Sequence, residues 1–297
     1  MITLPQLRAF AAVARHRHFT RAANSLLVAQ PSVSYQVREL ERELGVRLVE
    51  VVGRRVYLTD SGERLAERAT ALLNELDDIE REMREHGLGS VGRLRLGATR
   101  TVGGYALPPV LASFRKAHPH IDLQVTISNT RDVEHMLLAR SLDLGVVEWK
   151  VTSPELASHP LRRDALVLVA PPDHPLTLRD RVDLAQLRGE TFVMREQGSG
   201  TRALAEQALG QILPEIQIGL ELDQPEAIAR AVEAGMGLAF ISEVIVARQL
   251  QSGSLRALNV EGVDLWRSFS LVFLRARPAS PSMRAFQTYI EQAWTAS

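Results

Sequence analysis

The chain has 297 residues, 45% of them hydrophobic, which allows two or three domains, each with a core of its own. Its formal charge is zero and it holds no cysteine, which excludes disulfides, thiolate metal sites and cysteine nucleophiles. Met1 to Pro5 form neither a basic start nor an apolar signal core, and no apolar run reaches spanning length, so a soluble, cytoplasmic protein without a membrane partner is expected.

In chain order, residues 19 to 44 read as two short helices joined by a tight turn. Thr20 is placed to cap a helix running through Leu27. Gln30 and Pro31 break the path, and Pro31 suits the first turn of the next helix, where its missing N–H costs nothing. At about 100° per residue, Val33, Val37, Leu40 and Leu44 fall on one stripe of that second helix. Its other face carries Tyr35, Arg38 and Arg42, with Gln30, Ser32 and Ser34 crowding the N-terminal end. Hydroxyls, an amide and guanidinium groups on one helix face suit the DNA major groove, where they meet base edges and phosphates. An ordinary amphipathic helix would show the same stripe, and local charge separates the two readings. Residues 1–58 contain nine Arg against four Glu (Glu39, Glu41, Glu43, Glu50), a local charge of +5 that leaves −5 for the rest, the footprint of a nucleic-acid partner. Two β-prone runs around Gly53, Arg54 and Arg55 then read as a hairpin wing that lays both arginines beside the phosphate backbone.

Thr59 to Glu63 carries a helix-start signal, with Thr59 or Asp60 as the cap. Leu65, Ala69, Leu72, Leu76, Ile79 and Met83 follow at the alternating spacing of a coiled-coil seam, on a helix from 60 to about 86 that would be on the order of 40 Å long. So long a helix reads as linker and dimer interface rather than as the core helix of a larger domain. Gly87, Gly89 and Gly92 mark a boundary.

From Val91 the pattern changes to alternating strands and helices. A strand through Leu94, Leu96 and Ala98, a helix from Tyr105 to Lys116, a strand at 121–127, a helix at 131–141 and a strand at 143–149 make a βαβαβ unit, which implies a parallel sheet. A second series starts at Ala165 and continues through strands at 191–194, 217–222 and 238–241, with helices from about 201 and around 227–234. A strand at 268–275 and a helix at 281–294 end the chain, so two similar α/β lobes are expected. Ligands of open parallel sheets settle beyond the carboxyl ends of the strands. That rule selects Thr99, Arg100 and Thr101 after the first strand, Ser128, Asn129 and Thr130 after the second, and Glu148 with Trp149 after the third. In the other lobe it selects the stretch from Arg195 to Arg202, in which Gln197, Gly198, Ser199, Thr201 and Arg202 open a helix whose free N–H groups favour a small carboxylate, phosphate or other oxyanion. A plain glycine turn with a hydroxyl cap would look the same in sequence.

Enzyme chemistry finds no support in these motifs. Gly198 to Arg202 lacks the lysine of a phosphate-binding loop, Gly235 and Gly237 lack the third glycine of a dinucleotide fingerprint, Gln197 spoils a nucleophile elbow, and the eight histidines are scattered. No catalytic residue, cofactor or metal is expected. A solute-binding protein without DNA function is the other reading the two lobes permit, and the basic N-terminal segment and missing export signal argue against it.

The chain resembles the LysR-type transcriptional regulators almost end to end. The N-terminal resemblance lies in Phe10, Ala22-Ala23, Gln30 to Ser34, Leu40-Glu41, Leu44-Gly45 and Leu58-Thr59-Gly62. The regulatory half matches in Leu96 to Thr99, Leu107-Pro108, Phe114, Pro119, Leu142 to Gly145 and Gly235 to Ala239. The resemblance implies an α/β protein overall: a winged helix-turn-helix over 1–58, a linker and dimerisation helix over 59–88, and a two-lobed effector domain of periplasmic-binding-protein type over 89–297. Lobe I would comprise about 91–162 and 267–297, and lobe II about 163–266. It implies a dimer or a tetramer built as a dimer of dimers, bound to an inverted-repeat operator in double-stranded DNA, with RNA polymerase as a partner if the protein activates. By the same resemblance Gln30, Ser34 and Tyr35 would read bases, while Ser32, Gln36, Arg38, Arg54 and Arg55 would contact phosphates, Thr20 and Pro31 completing the DNA-facing set. Arg195 to Arg202 is similar to regulators of carbon fixation and of sulfur or cysteine metabolism, whose effectors are small anions or phosphorylated metabolites. Operator sequence does not transfer, because relatives differ most at the position of Tyr35.

Overall fold

The computed structural model describes residues 1–52, 55–88 and 92–295, and they form two compact units, one running through the long helix and including Ala139–Ser141, the other made of the remainder. The first unit begins with an element the periodicity reading passed over, α1 (Leu4–His16). Thr3 and Gln6 form a capping box there, the Gln6 side chain accepting from the Thr3 amide at 2.7 Å, and Leu7, Phe10 and Val13 fall on its buried face. Next come α2 (Phe19–Ser25) and α3 (Gln30–Leu44). The cap of α2 is His18, whose Nδ1 accepts from the Thr20 amide at 3.1 Å, and not Thr20; the helix also stops short of Leu27, which takes a positive φ of 55°. Pro31 sits in the first turn of α3, and Val33, Val37 and Leu40 are fully buried with Phe10, Val13, Ala22 and Ala23. Gly45 ends α3 in the left-handed conformation that only glycine adopts without strain.

Strands β1 (Val49–Val52) and β2 (Arg55–Leu58) pair antiparallel, Val49 opposite Leu58 and Val52 opposite Arg55, which is the expected wing. Its base is fastened by Glu41: the carboxylate is buried and accepts from the amides of Leu48 at 2.7 Å and Val49 at 3.2 Å. The helix α4 (Asp60–Leu88) is capped by Thr59, whose Oγ1 accepts from the Gly62 amide at 3.0 Å and donates to the Arg47 carbonyl at 2.7 Å. Gly62 is required by packing, since a Cβ there would lie 2.1 Å from the Leu48 carbonyl oxygen. The apolar seam of α4 divides in two. Ala69 is buried, and Leu65 packs beside it, in the core of the winged module, whereas Leu72, Ile79 and Met83 are exposed.

In the second unit β3 (Arg93–Thr99) pairs parallel with β4 (Asp122–Ser128) and β5 (Leu144–Val147). A π-helical turn at Val102–Ala106 precedes α5 (Pro108–Ala117), so the helix begins later than Tyr105, with Pro108 in its first turn. Helix α6 (Thr130–Leu138) covers the opposite face with Val133 and Leu137. Strands β3, β4 and β5 form the expected parallel unit, and antiparallel strands extend the sheet beyond it. Strand β6 (Leu156–Ala170) starts nine residues before Ala165 and runs unbroken through the expected lobe boundary. It pairs antiparallel with β11 (Trp266–Leu274), which pairs antiparallel with β5 in turn. At its far end β6 pairs with β9 (Ala239–Ser242) and β10 (Arg256–Leu258). Lobe II adds the parallel pair β7 (Thr191–Arg195) and β8 (Gln217–Leu222), with α7 (Gly200–Leu209), α8 (Pro225–Glu233) and α9 (Glu243–Ser252) around them. The last helix, α10 (Pro281–Thr295), returns to lobe I, where Met283, Phe286 and Ile290 join Leu94, Leu96 and Phe114 in one core. The two lobes are therefore joined by two long antiparallel strands rather than by loops.

Candidate functional site

On α3 the burial of Val33, Val37 and Leu40 turns the opposite face to solvent. Tyr35 is 56% exposed, and Gln30, Pro31, Ser32, Arg38 and Arg42 are exposed with it. Ser34 and Gln36 are half-buried, and Gln30 donates to the Ser34 hydroxyl at 2.8 Å, so two of the nominated base readers are already oriented by one another. Thr20 and Arg55 are exposed, and Arg54 lies outside the described residues.

In the two-lobed unit the strand ends converge as polar, buried groups. Thr99 ends β3 opposite Ser128 at the end of β4, and Glu148 follows β5 directly. Lobe II brings the start of α7 against them. Gly200 makes this approach possible, since a Cβ there would lie 2.5 Å from the Cβ of Trp149 and 3.2 Å from Cγ of Glu148. Ser199 occupies the cap position of α7, yet its hydroxyl makes no capping bond. Thr99, Thr130, Glu148 and Ser199 are each less than 5% exposed, and each has a side-chain oxygen with no hydrogen-bond partner among the described residues. Orphaned buried polar atoms are rare in folded proteins, and a cluster of them marks a place for a ligand.

A fifth orphan belongs to a residue that sequence reasoning missed. Arg267 is buried in β11, donating through Nε to Asp164 at 2.7 Å and through Nη1 to the Thr201 hydroxyl at 2.9 Å, while Nη2 has no partner among the described residues. Ser242 completes the arrangement by donating to Asp164 at 2.7 Å. Arg267 lies at the start of an antiparallel strand, so a rule that looks beyond the carboxyl ends of parallel strands cannot select it, although the reversed direction brings it to the same rim. The Glu148 carboxyl faces Arg267 at 3.8 Å and accepts weakly from Thr101 at 3.5 Å. Burial pushes its pKa upward, opposed by Arg267 and Arg195 and reinforced by Asp164.

Other nominated residues are engaged in holding the frame. Arg202 donates to Glu206 at 2.7 Å and to the Arg195 carbonyl at 2.8 Å, pairs with Glu221, and meets the Gln197 amide oxygen when that amide is turned toward it. Arg100 bridges Glu196 at 3.1 Å and Asp223 at 2.9 Å, and Arg195 is held by Glu196 at 2.7 Å. Ser128 donates to Asp132, and Asn129 accepts from the Asp132 amide at 2.9 Å. Gly198 takes a positive φ of 89° beside Arg131. Among the described residues no group of His, Asp and Glu gathers as a metal site, and no helix is long and apolar enough to cross a membrane.

An exposed polar helix face on a winged module and a cluster of orphaned buried polar atoms in a two-lobed domain are the features of a DNA-binding protein with a small-molecule site. A family model described as bacterial regulatory helix-turn-helix protein, lysR family, matches residues 4–63, and one described as LysR substrate binding domain matches residues 88–295. The chain belongs to the LysR family of transcriptional regulators. It is similar to the RuBisCO operon transcriptional regulator of Allochromatium vinosum, with 36% identity over 289 residues, 97% of this chain and 95% of that one. The CcmR regulatory domain of Synechocystis PCC6803, solved in complex with 2-PG, is 27% identical with a TM-score of 0.64, covering 68% of this chain and 97% of that one. Full-length OxyR of Pseudomonas aeruginosa shares the fold over 98% of this chain and 95% of its own, with a TM-score of 0.71 at 23% identity.

Proposed function

We propose that this LysR-type regulator senses a small oxyanion in the cleft between its lobes and transmits the change to an inverted-repeat operator held by a dimer or a dimer of dimers. The observation that carries the reading is the set of orphaned buried atoms on Thr99, Thr130, Glu148, Ser199 and Arg267, four hydroxyl or guanidinium donors beside one carboxyl. Thr101 and Thr201 orient that set, and Arg100, Ser128, Asn129, Gln197, Gly198 and Arg202 position it. The 2-PG carried by the CcmR regulatory domain supports the choice of ligand class. Residues 1–58 are assigned to DNA, 59–88 to linkage and self-association, and 89–297 to sensing; on α3, Gln30, Ser34 and Tyr35 read bases while Ser32, Gln36 and Arg38 hold phosphates, with RNA polymerase as the further partner where the protein activates.

Calorimetry of the full chain against a panel of small anions, repeated with Thr99→Val and Ser199→Ala, tests the cleft. Losing one hydrogen bond to a charged ligand is worth roughly 1.5 to 3 kcal/mol, so each variant is expected to bind the active anion about ten- to a hundredfold more weakly. Operator affinity without effector should stay within a few fold. Full affinity for the anion in both variants would overturn the assignment.

A further inference from the structure

The cleft sets a carboxyl where an anion is to bind, and that juxtaposition decides which anions it accepts. Resting on the effector reading above, we propose that Glu148 and the bound oxyanion hold one proton between them, so that the cleft selects an oxyanion carrying its own acidic hydrogen, hydrogen phosphate or the monoanion of a phosphate monoester, over an aprotic one of the same shape such as sulfate.

Glu148 and Arg267 have side chains only 1% exposed, and each offers one unpartnered atom, Oε2 and Nη2, on groups that face each other at 3.8 Å. The 3.8 Å approach is between Nη1 of Arg267 and Oε1 of Glu148, so an anion held by the free Nη2 sits on a guanidinium whose neighbour is the Glu148 carboxyl. The charges around Glu148 do not resolve the conflict. Arg267, from β11, is already matched by Asp164 of β6 at 2.7 Å, and Arg195, from β7, by Glu196 at 2.7 Å. Thr101, beyond β3, and the start of α7, where Gly200 abuts Glu148, add no charge. Two anionic oxygens in a buried site repel, and such pairs share a single proton. Hydrogen phosphate supplies that proton and donates it to a Glu148 carboxylate. Sulfate supplies none, so it binds only when Glu148 takes a proton from solvent. The hydroxyls of Thr99, Thr130 and Ser199 donate to either ion and do not discriminate. The upward displacement of the Glu148 pKa by burial agrees with a carboxyl that readily takes its proton.

Titration calorimetry of the full chain with inorganic phosphate, methyl phosphate, sulfate and methyl sulfate tests this, in buffers of different ionisation enthalpy. Inorganic phosphate and the methyl ester separate a free from an esterified phosphoryl ligand, and the ester, a proton-free dianion above its second pKa of about 6, is expected to bind with uptake of about one proton, as sulfate does. At pH values above the Glu148 pKa, phosphate is expected to bind at least about tenfold more tightly than sulfate, and sulfate binding to take up about one proton and to weaken about tenfold per pH unit. In Glu148→Gln, which cannot ionise, the proton uptake should vanish and sulfate should gain on phosphate by about tenfold or more. Equal binding of the two ions by the wild type without proton uptake overturns the proposal without needing the variant, as does a preference that Glu148→Gln leaves unchanged. Failure of all four anions to bind either protein overturns the oxyanion reading of the cleft, and this proposal with it.

Discussion

A hydroxyl buried without a partner costs about 1 to 3 kcal/mol, and Thr99, Thr130 and Ser199 each carry one in the cleft. The structure tolerates that cost at a place where a ligand would remove it, whereas Ser242, buried in the same neighbourhood, is satisfied by Asp164. Glu148 adds a titratable member to the set. Because burial raises its pKa in the fold, the neutral form is favoured, and the stability this contributes is present below the ordinary glutamate value of about 4.3 and lost as pH rises through the folded value. Thermal unfolding of the full chain without effector is therefore expected to fall over that interval, and Glu148→Gln to flatten the fall. A variant whose melting temperature declines with pH as steeply as the wild type would show that Glu148 pays no such penalty.

Among elements, α3 and α4 present the exposed faces proposed above for DNA and for self-association. The exposed face of α3 divides between Arg38, a point of positive charge, and Tyr35 with the Gln30 and Ser34 pair. Phosphate contacts release counterions and are blind to sequence, while base contacts discriminate. Arg38→Ala should weaken binding to operator and random DNA alike and lower the salt slope by about one, whereas Tyr35→Ala and Ser34→Ala should narrow the ratio between the two DNAs. Titrations over a range of salt concentrations separate these outcomes, and equal losses on both DNAs for all three variants would remove the division of roles. On α4 the exposed Leu72 and Ile79 form the part of the seam that the winged module leaves uncovered. Charging both, as Leu72→Glu with Ile79→Glu, would place unpaired charge in a self-association interface, at a cost of several kcal/mol per site. Sedimentation of the full chain should then show a shift toward monomer. Unaltered association would move the interface elsewhere.

For the whole molecule, the coupling of sensing to DNA binding is a difference in effector affinity between arrangements of the protein. Strands β6 and β11 run continuously from one lobe to the other, with a register shift between Phe269 and Ser270, so the lobes have a narrow connection through which closure can change. Linkage makes the coupling reciprocal. If an anion alters operator affinity by some factor, operator DNA should alter anion affinity by the same factor, on the order of five- to 150-fold. Calorimetry of the anion with and without operator checks this, and an unequal pair of factors would require an additional component such as a change in oligomeric state.

The sequence by itself determined the winged module, because helix stripes, caps and turn residues are local properties: Val33, Val37 and Leu40 declare their buried face through spacing alone, and Gly45 and Thr59 mark ends whose chemistry lies within a few residues. It also placed Thr99, Thr130, Glu148 and Ser199, since each follows directly from a strand end or helix start. Capping by His18 in place of Thr20 was a matter of a one- or two-residue shift that propensity does not resolve. Only the tertiary structure decided that Arg267, Asp164 and Ser242 belong to the cleft, because antiparallel pairing of β6 with β11 and β9 joins residues 78 to 103 positions apart. It decided likewise that Arg202 braces Glu206 and Glu221, and that Leu65 and Ala69 pack within the winged module while Leu72, Ile79 and Met83 stay exposed. Spacing reports which residues share a face, and what that face meets is set by chain segments brought there from elsewhere in the fold.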